Sequence, residues 1–148
     1  MQEALEKLQG QIGAETITDW KEITQDAVNA FAEATGDHQF IHVDPDLAAQ
    51  TPFGGTIAHG FLTLSLTVAQ SAEKPRDVGN PMMAINYGLD RVRFPAPVPV
   101  GSRTRLRIRL DEVEEVPGGI HIKETVTTEV EGQEKPGMVA ERLSRFYY

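Results

Sequence analysis

The run Ala58-His59-Gly60-Phe61-Leu62-Thr63-Leu64-Ser65-Leu66-Thr67-Val68-Ala69 decides how this chain folds. Phe61, Leu62, Leu64, Leu66, Val68 and Ala69 have only small polar residues between them. A helix that is apolar nearly all round belongs in an interior, so residues 58–73 are expected to form the central buried helix. Beyond it the period changes from helix to strand. Met83, Ile85, Tyr87 and Leu89 alternate within residues 82–94, and Leu106, Ile108 and Leu110 alternate with arginines within 104–116. Two further strands are expected at 120–130 and 138–148, set off by Pro117-Gly118-Gly119 and by the turn 132–137. The segment Pro95-Ala96-Pro97-Val98-Pro99 lacks the donors for a regular ladder and is read as crossing an edge or corner.

Ahead of the central helix the chain is more mixed. Residues 1–9 suggest a short, poorly specified helical lead-in, and Gln11–Trp20 a first strand. Ala27, Val28, Ala30, Phe31 and Ala34 recur at three- and four-residue steps, which predicts a helix from Thr24 to Thr35 with Thr24 as N-cap and Asp26 in the first turn. Gly36 stands where a left-handed C-terminal residue is wanted. Asp44-Pro45 reads as N-cap and first-position proline of a short helix through Gln50. The expected class is therefore α+β, an antiparallel sheet wrapped around one helix, within a single domain spanning 1–148.

The whole-chain numbers narrow the function. There is no cysteine among the 148 residues, which excludes disulfide frameworks, thiolate catalysis and cysteine zinc sites. No apolar run approaches the roughly 20 residues of a membrane span, and Met1–Glu6 lacks the basic and apolar regions of a signal peptide, so a cytoplasmic protein without a membrane partner is expected. A net charge of -8 speaks against a nucleic-acid surface. Arg91, Arg93, Arg103, Arg105, Arg107 and Arg109 nevertheless concentrate in one region. They read first as a solvated strand face, with a small anionic ligand as the other use.

The chemistry lies in Gly36-Asp37-His38-Gln39-Phe40-Ile41-His42. Five residues of helix would put Asp37 and His42 about 140° apart around the axis, and a strand would put them on opposite faces. They converge only if 37–42 is an irregular loop, which Phe40 and Ile41 are expected to anchor by burial. Burial would also make the Asp37 carboxylate a better base. His38, His42 and Asp44 match no common metal spacing, so no metal is assigned. His38 is given no role.

These residues resemble the MaoC-like dehydratase family, which includes the (R)-specific enoyl-CoA hydratases and has the hot-dog fold. The resemblance rests on Phe31, Thr35-Gly36-Asp37, Ile41-His42, Ala48, Ala58-His59-Gly60 and the run Tyr87–Val98, and is strongest toward the single-domain NodN-like branch. The hydratase pattern usually has asparagine and proline where this chain has Gln39 and Phe40.

The resemblance implies that Asp37 and His42 are the catalytic pair and that the Gly60 N–H holds the thioester oxygen. It implies a side-by-side homodimer with acyl tunnel and coenzyme A site at the junction, and a cofactor-free, reversible hydration of trans-2-enoyl-CoA to (R)-3-hydroxyacyl-CoA. Gln39, Phe40, His59, Asn86, Tyr87, Gly88, Arg91 and Arg93 are the expected substrate-binding positions. For His59 bracing of the helix start stays open, for Tyr87 a sheet-core role, and for the two arginines salt bridges. The same fold also serves acyl-CoA thioesterases and non-catalytic acyl-CoA-binding or heterodimer partner subunits, and those readings stay open at this point. The acidic surface favours coenzyme A over an acidic carrier protein.

Overall fold

The computed structural model describes all of Met1–Tyr148. Its elements are α1 (Gln2–Gln9), β1 (Glu15–Ile17), β2 (Lys21–Glu22), α2 (Gln25–Thr35), α3 (Phe40–Val43), α4 (Pro45–Ala48), α5 (Gly60–Ser71), β3 (Met83–Arg93), β4 (Arg103–Val116), β5 (Gly119–Val130) and β6 (Met138–Tyr147). The four long strands fall where the alternation and the turn signals put them. The expected first strand is broken: Thr18 turns inward and donates its hydroxyl to no strand partner but receives the Leu106 N–H, so β1 and β2 pair separately with β4.

All pairings are antiparallel, in the order β1-β4-β5-β6-β3. β4 and β5 form a long hairpin in which Leu106, Ile108 and Leu110 face inward and the intervening arginines outward. That outer face is a ladder of ion pairs: Arg103 with Glu131, Arg105 and Arg107 with Glu129, and Arg109 with Asp111. Four of the six clustered arginines are thus spent on carboxylates, as the solvated-face reading expects. Arg91 has no ion-pair partner, and Arg93 reaches only the Val92 carbonyl.

The helices lie on the other face. α1 is better specified than its sequence suggested, because Ala4, Leu5 and Leu8 are buried against Leu110, Val113, Ile120 and Ile122. Val28 of α2 and Leu62 of α5 share a cluster with Ala58, Val98 and Val130. The proline-rich segment 95–99 delivers Val98 to that cluster and accepts the Ala58 N–H on the Val98 carbonyl at 2.8 Å. This is the hot-dog arrangement, a sheet curled on α5.

α5 is less enclosed than its composition suggested. Leu62, Thr63, Thr67 and Gln70 are buried, but Phe61 is 70% and Val68 51% exposed. One sheet can cover only one side of a helix, so the second apolar face of α5 is left open along the chain's surface. No helix is long and apolar enough to cross a membrane.

Candidate active site

Thr24 caps α2 by accepting the Ala27 N–H at 3.1 Å, and the helix stops at Gly36, whose φ of 80° is the left-handed conformation that favours glycine. The chain leaves α2 at Asp37, whose carboxylate accepts the Gln39 N–H at 3.3 Å and so tightens the turn. It then enters the single-turn helix α3. The expected irregular loop is therefore irregular only from Asp37 to Gln39. Asp44 caps α4 through the Leu47 N–H with Pro45 in the first turn, and α4 ends at Ala48 rather than Gln50.

The anchoring also differs from expectation. Phe40 is 42% exposed and Asp37 is exposed. What holds the segment is His42, which is buried, together with Gln25 of α2. Gln25 donates to the His42 carbonyl at 2.8 Å and accepts the Thr56 hydroxyl at 2.6 Å, tying α2, α3 and the approach to α5 together. No sequence signal marks Gln25, since a polar residue in a first helical turn is ordinary.

His42 Nδ1 lies 2.7 Å from the Ile57 carbonyl oxygen. A carbonyl only accepts, so Nδ1 carries the hydrogen and the neutral ring keeps its lone pair on Nε2. His59 is fixed in the opposite sense: its Nε2 donates to the Asp37 backbone carbonyl at 2.9 Å, and its Nδ1 is buried without a partner. The two imidazoles stack, with centroids 3.8 Å apart and planes at 26°, and Phe31 packs on His59 at 4.9 Å.

One polar atom each from Asp37, His42 and His59 lies within 4.8 Å of the others. Two hydrogen bonds of about 2.8 Å meeting at one water oxygen span a gap of about 4.5 Å, so a single water fits between the carboxylate and an imidazole. A metal ion fits poorly. Each ring nitrogen offers its lone pair in the ring plane, and two nearly parallel stacked planes do not converge on one ion at about 2.0–2.1 Å.

Gly60 begins α5, where the first N–H groups have no partner within the helix. A Cβ on Gly60 would sit 3.2 Å from ring carbons of Phe94, so the glycine keeps this end open. A cleft of about 470 Å³ is lined by Phe31, Thr35, Asp37, His42, His59, Gly60, Phe61 and Phe94. Asp37, His42, His59 and Gly60 are thus brought together. Phe94 joins them from the far end of β3, a contact no local pattern reports.

The other expected positions lie elsewhere within this chain. Gln39, the N-cap of α3, and Phe40, its first residue, are exposed and do not line the cleft. Asn86 lines a different cavity, at the other end of α5. Tyr87 lies under the Arg145 guanidinium at 3.6 Å and edge-on to His121. Gly88 stands at a register shift between β3 and β6 and approaches Leu143. Arg91 and Arg93 are exposed on β3, close in sequence to Phe94.

Comparison with known proteins identifies the family. The family model described as MaoC like domain matches residues 7–133. The chain is 53% identical over 130 residues to 3-hydroxyacyl-thioester dehydratase Z of Mycobacterium tuberculosis, covering 87% of this chain and 85% of that protein. It is 47% identical over 126 residues to nodulation protein N of Rhizobium leguminosarum, covering 83% and 78%. Among solved structures, the (R)-hydratase from A. caviae involved in PHA biosynthesis shares the fold, with a TM-score of 0.74, 24% identity, and coverage of 90% of this chain and 94% of that one. With the family model spanning most of its length and relatives at these identities, the chain belongs to the MaoC-like dehydratase family.

Proposed function

We propose that this chain is an (R)-specific enoyl-CoA hydratase, running reversibly as a 3-hydroxyacyl-CoA dehydratase, with the whole of 1–148 acting as one hot-dog unit. The observation that carries the reading is the convergence of Asp37, His42 and the Gly60 N–H on one cleft, with the His42 lone pair on Nε2. The 53% identical relative is named as a 3-hydroxyacyl-thioester dehydratase, which supports the same reaction class.

Addition of water to an α,β-unsaturated thioester needs a base for the water, a proton for Cα and a donor for the charge that builds on the carbonyl oxygen. Asp37 and His42 Nε2 hold the water between them and share the proton work. The Ile57 carbonyl keeps His42 in the tautomer that presents Nε2. The Gly60 N–H, at the positive end of the twelve-residue α5, takes the thioester oxygen. One such donor is worth about 3–4 kcal/mol of transition-state stabilisation in enzymes where it has been removed. No step calls for a metal or an organic cofactor.

Coenzyme A is the carrier this reading favours. Of the fourteen lysines and arginines, Arg91 and Arg93 stand two apart on β3 without a carboxylate partner and next to Phe94 of the cleft, where they suit its phosphates. The dimer follows from β3 as well. This eleven-residue strand is the free edge of the sheet and exposes Met83, Tyr87 and Leu89, a combination that soluble proteins cover. A second copy paired along β3 would also close the open face of α5 and bring its Asn86 and Tyr87 toward the junction.

The test is loss of enoyl-thioester absorbance with crotonyl-CoA and a longer homologue, beside Asp37→Asn, with chiral analysis of the product. Formation of the (R)-alcohol, abolished in the variant, is expected. A folded protein that binds these esters without turnover would overturn the reading in favour of a non-catalytic subunit, and release of free coenzyme A without hydration in favour of a thioesterase.

A further inference from the structure

At the end of α5 away from Gly60 lies a second cavity, of about 430 Å³, lined by apolar side chains that include Val68, Ile85, Ile122 and Phe146. Its wall also holds an unusual group for such surroundings. Glu124 is bracketed by Arg76 at 2.8 Å and Arg142 at 2.6 Å, and the three side chains are only 5%, 10% and 13% exposed.

The triad is not balanced. Two guanidinium groups share one carboxylate, which leaves one positive charge in excess within a protein whose net charge is -8. Lys74 pairs with Asp19, and Lys7 with Glu3 and Asp77, at the exposed surface and outside the buried triad. Nor are the donors exhausted. Arg142 donates to Ser71 and Glu124 while its Nε is buried without a partner. Arg76 spends Nε on Glu124 and Nη2 on the Ala14 and Ile108 carbonyls, leaving Nη1 with none. A buried excess cation is costly until an anion meets it.

The two cavities lie at opposite ends of α5. Phe94, following β3, touches the Gly60 end of α5, while Ala84, Ile85 and Asn86 at the start of β3 line the second cavity with Val68 and Ser71. Between them the exposed residues Phe61, Ser65, Val68 and Ala72 form one stripe of α5 and its C-cap.

We propose that the groove between α5 and β3 ends in a carboxylate subsite at Arg76 and Arg142, so that the preferred acyl groups carry an acid at their far end. This rests on the hydratase reading of the Gly60 end. From Gly60 to Ser71 is about 16 Å along the helix. After a hydrogen bond of about 3 Å at each end, the remaining 10 Å or so corresponds to roughly eight to ten bonds of extended chain at about 1.2 Å each. A dicarboxylic monothioester of roughly eight carbons, with nine bonds between its two terminal oxygens, fits that span. An unsubstituted chain of that length brings a methyl group against the ion triad and leaves the excess charge unmet.

The test compares trans-2-octenoyl-CoA with the CoA monothioester of trans-2-octenedioic acid, with crotonyl-CoA as the short reference, on the full chain. The acid-ended substrate is expected to show kcat/KM at least tenfold above its unsubstituted partner. Arg142→Met, with both eight-carbon substrates measured on one preparation so that any unfolded fraction cancels, is expected to bring that ratio toward one. A ratio of one or below in the unaltered protein, with octenoyl-CoA or crotonyl-CoA turned over, overturns the carboxylate subsite and leaves the hydratase standing. A preference that survives unchanged in Arg142→Met also overturns it. Absence of turnover with all three substrates instead overturns the hydratase reading beneath it.

Discussion

His59 joins the two residues assigned to catalysis: its Nε2 donates to the Asp37 backbone carbonyl at 2.9 Å while its ring stacks on His42 at 3.8 Å. It therefore sets where the carboxylate leaves α2 and how the His42 ring lies. His59→Phe keeps a ring for the stack and removes the donor. We expect kcat to fall about tenfold or more through a looser Asp37, within the range positioning effects cover, with KM little changed. Turnover equal to the unaltered protein would rule out this positioning role.

Asp37→Asn and His42→Ala are expected to lower kcat by about 10²–10⁴-fold, the range of a lost general acid or base. Their effects on stability should differ. Asp37 is exposed, so Asp37→Asn should leave Tm almost unmoved, whereas His42 is buried and removing it strands the Ile57 carbonyl at a cost of about 1–3 kcal/mol. Thermal melts beside steady-state rates check both parts.

Gly60→Ala places a methyl group 3.2 Å from the Phe94 ring. Phe94 is 41% exposed and has room to swing, so the fold should tolerate the change. Displacing the ring narrows the cleft at the expected oxyanion donor. The predicted result is a small Tm change with a kcat/KM loss of at least tenfold, and Gly60→Ala with Phe94→Ala should recover part of it.

The ion-pair ladder predicts an acid limb in stability. Glu129 is half-buried, which pushes its carboxyl up, but hydrogen bonds from Arg105 and Arg107 together with their charges outweigh this and hold it below the usual carboxylate range. A carboxyl lowered in the folded state contributes stability above its unfolded pKa of about 4.3, and that contribution is lost as pH falls through the lower folded value. Glu129→Gln should therefore cost about 1 kcal/mol at neutral pH and flatten the loss of stability below about pH 4.5. Urea melts at pH 7 and pH 4 measure it, and an equal penalty at both would contradict the assignment.

The edge strand predicts association. Leu89 is 42% exposed on β3, and Leu89→Lys puts a charge on the edge that a second copy is proposed to cover. Sedimentation should show a dimer become a monomer at micromolar concentration, with activity falling alongside. A variant that stays dimeric would move the interface away from β3.

The sequence by itself determined the long elements and put forward the chemistry-bearing residues. Period-two alternation marked β3 and β4, turn signals set off β5 and β6, the Thr24 cap and the left-handed Gly36 bounded α2, and Asp37, His42 and Gly60 stood out because their neighbours form a recognisable family pattern. These are local properties, written in the spacing of side chains along a strand or helix. Only the tertiary structure decided what those residues meet. The His42–Ile57 bond, the His59–Asp37 bond, the Gln25 bridge and the Phe94 contact join positions 15 to 34 residues apart, and no periodicity encodes such pairings. The open face of α5 belongs with them: its residues are as apolar as the buried face, and only the sheet covering one side of the helix tells the two apart.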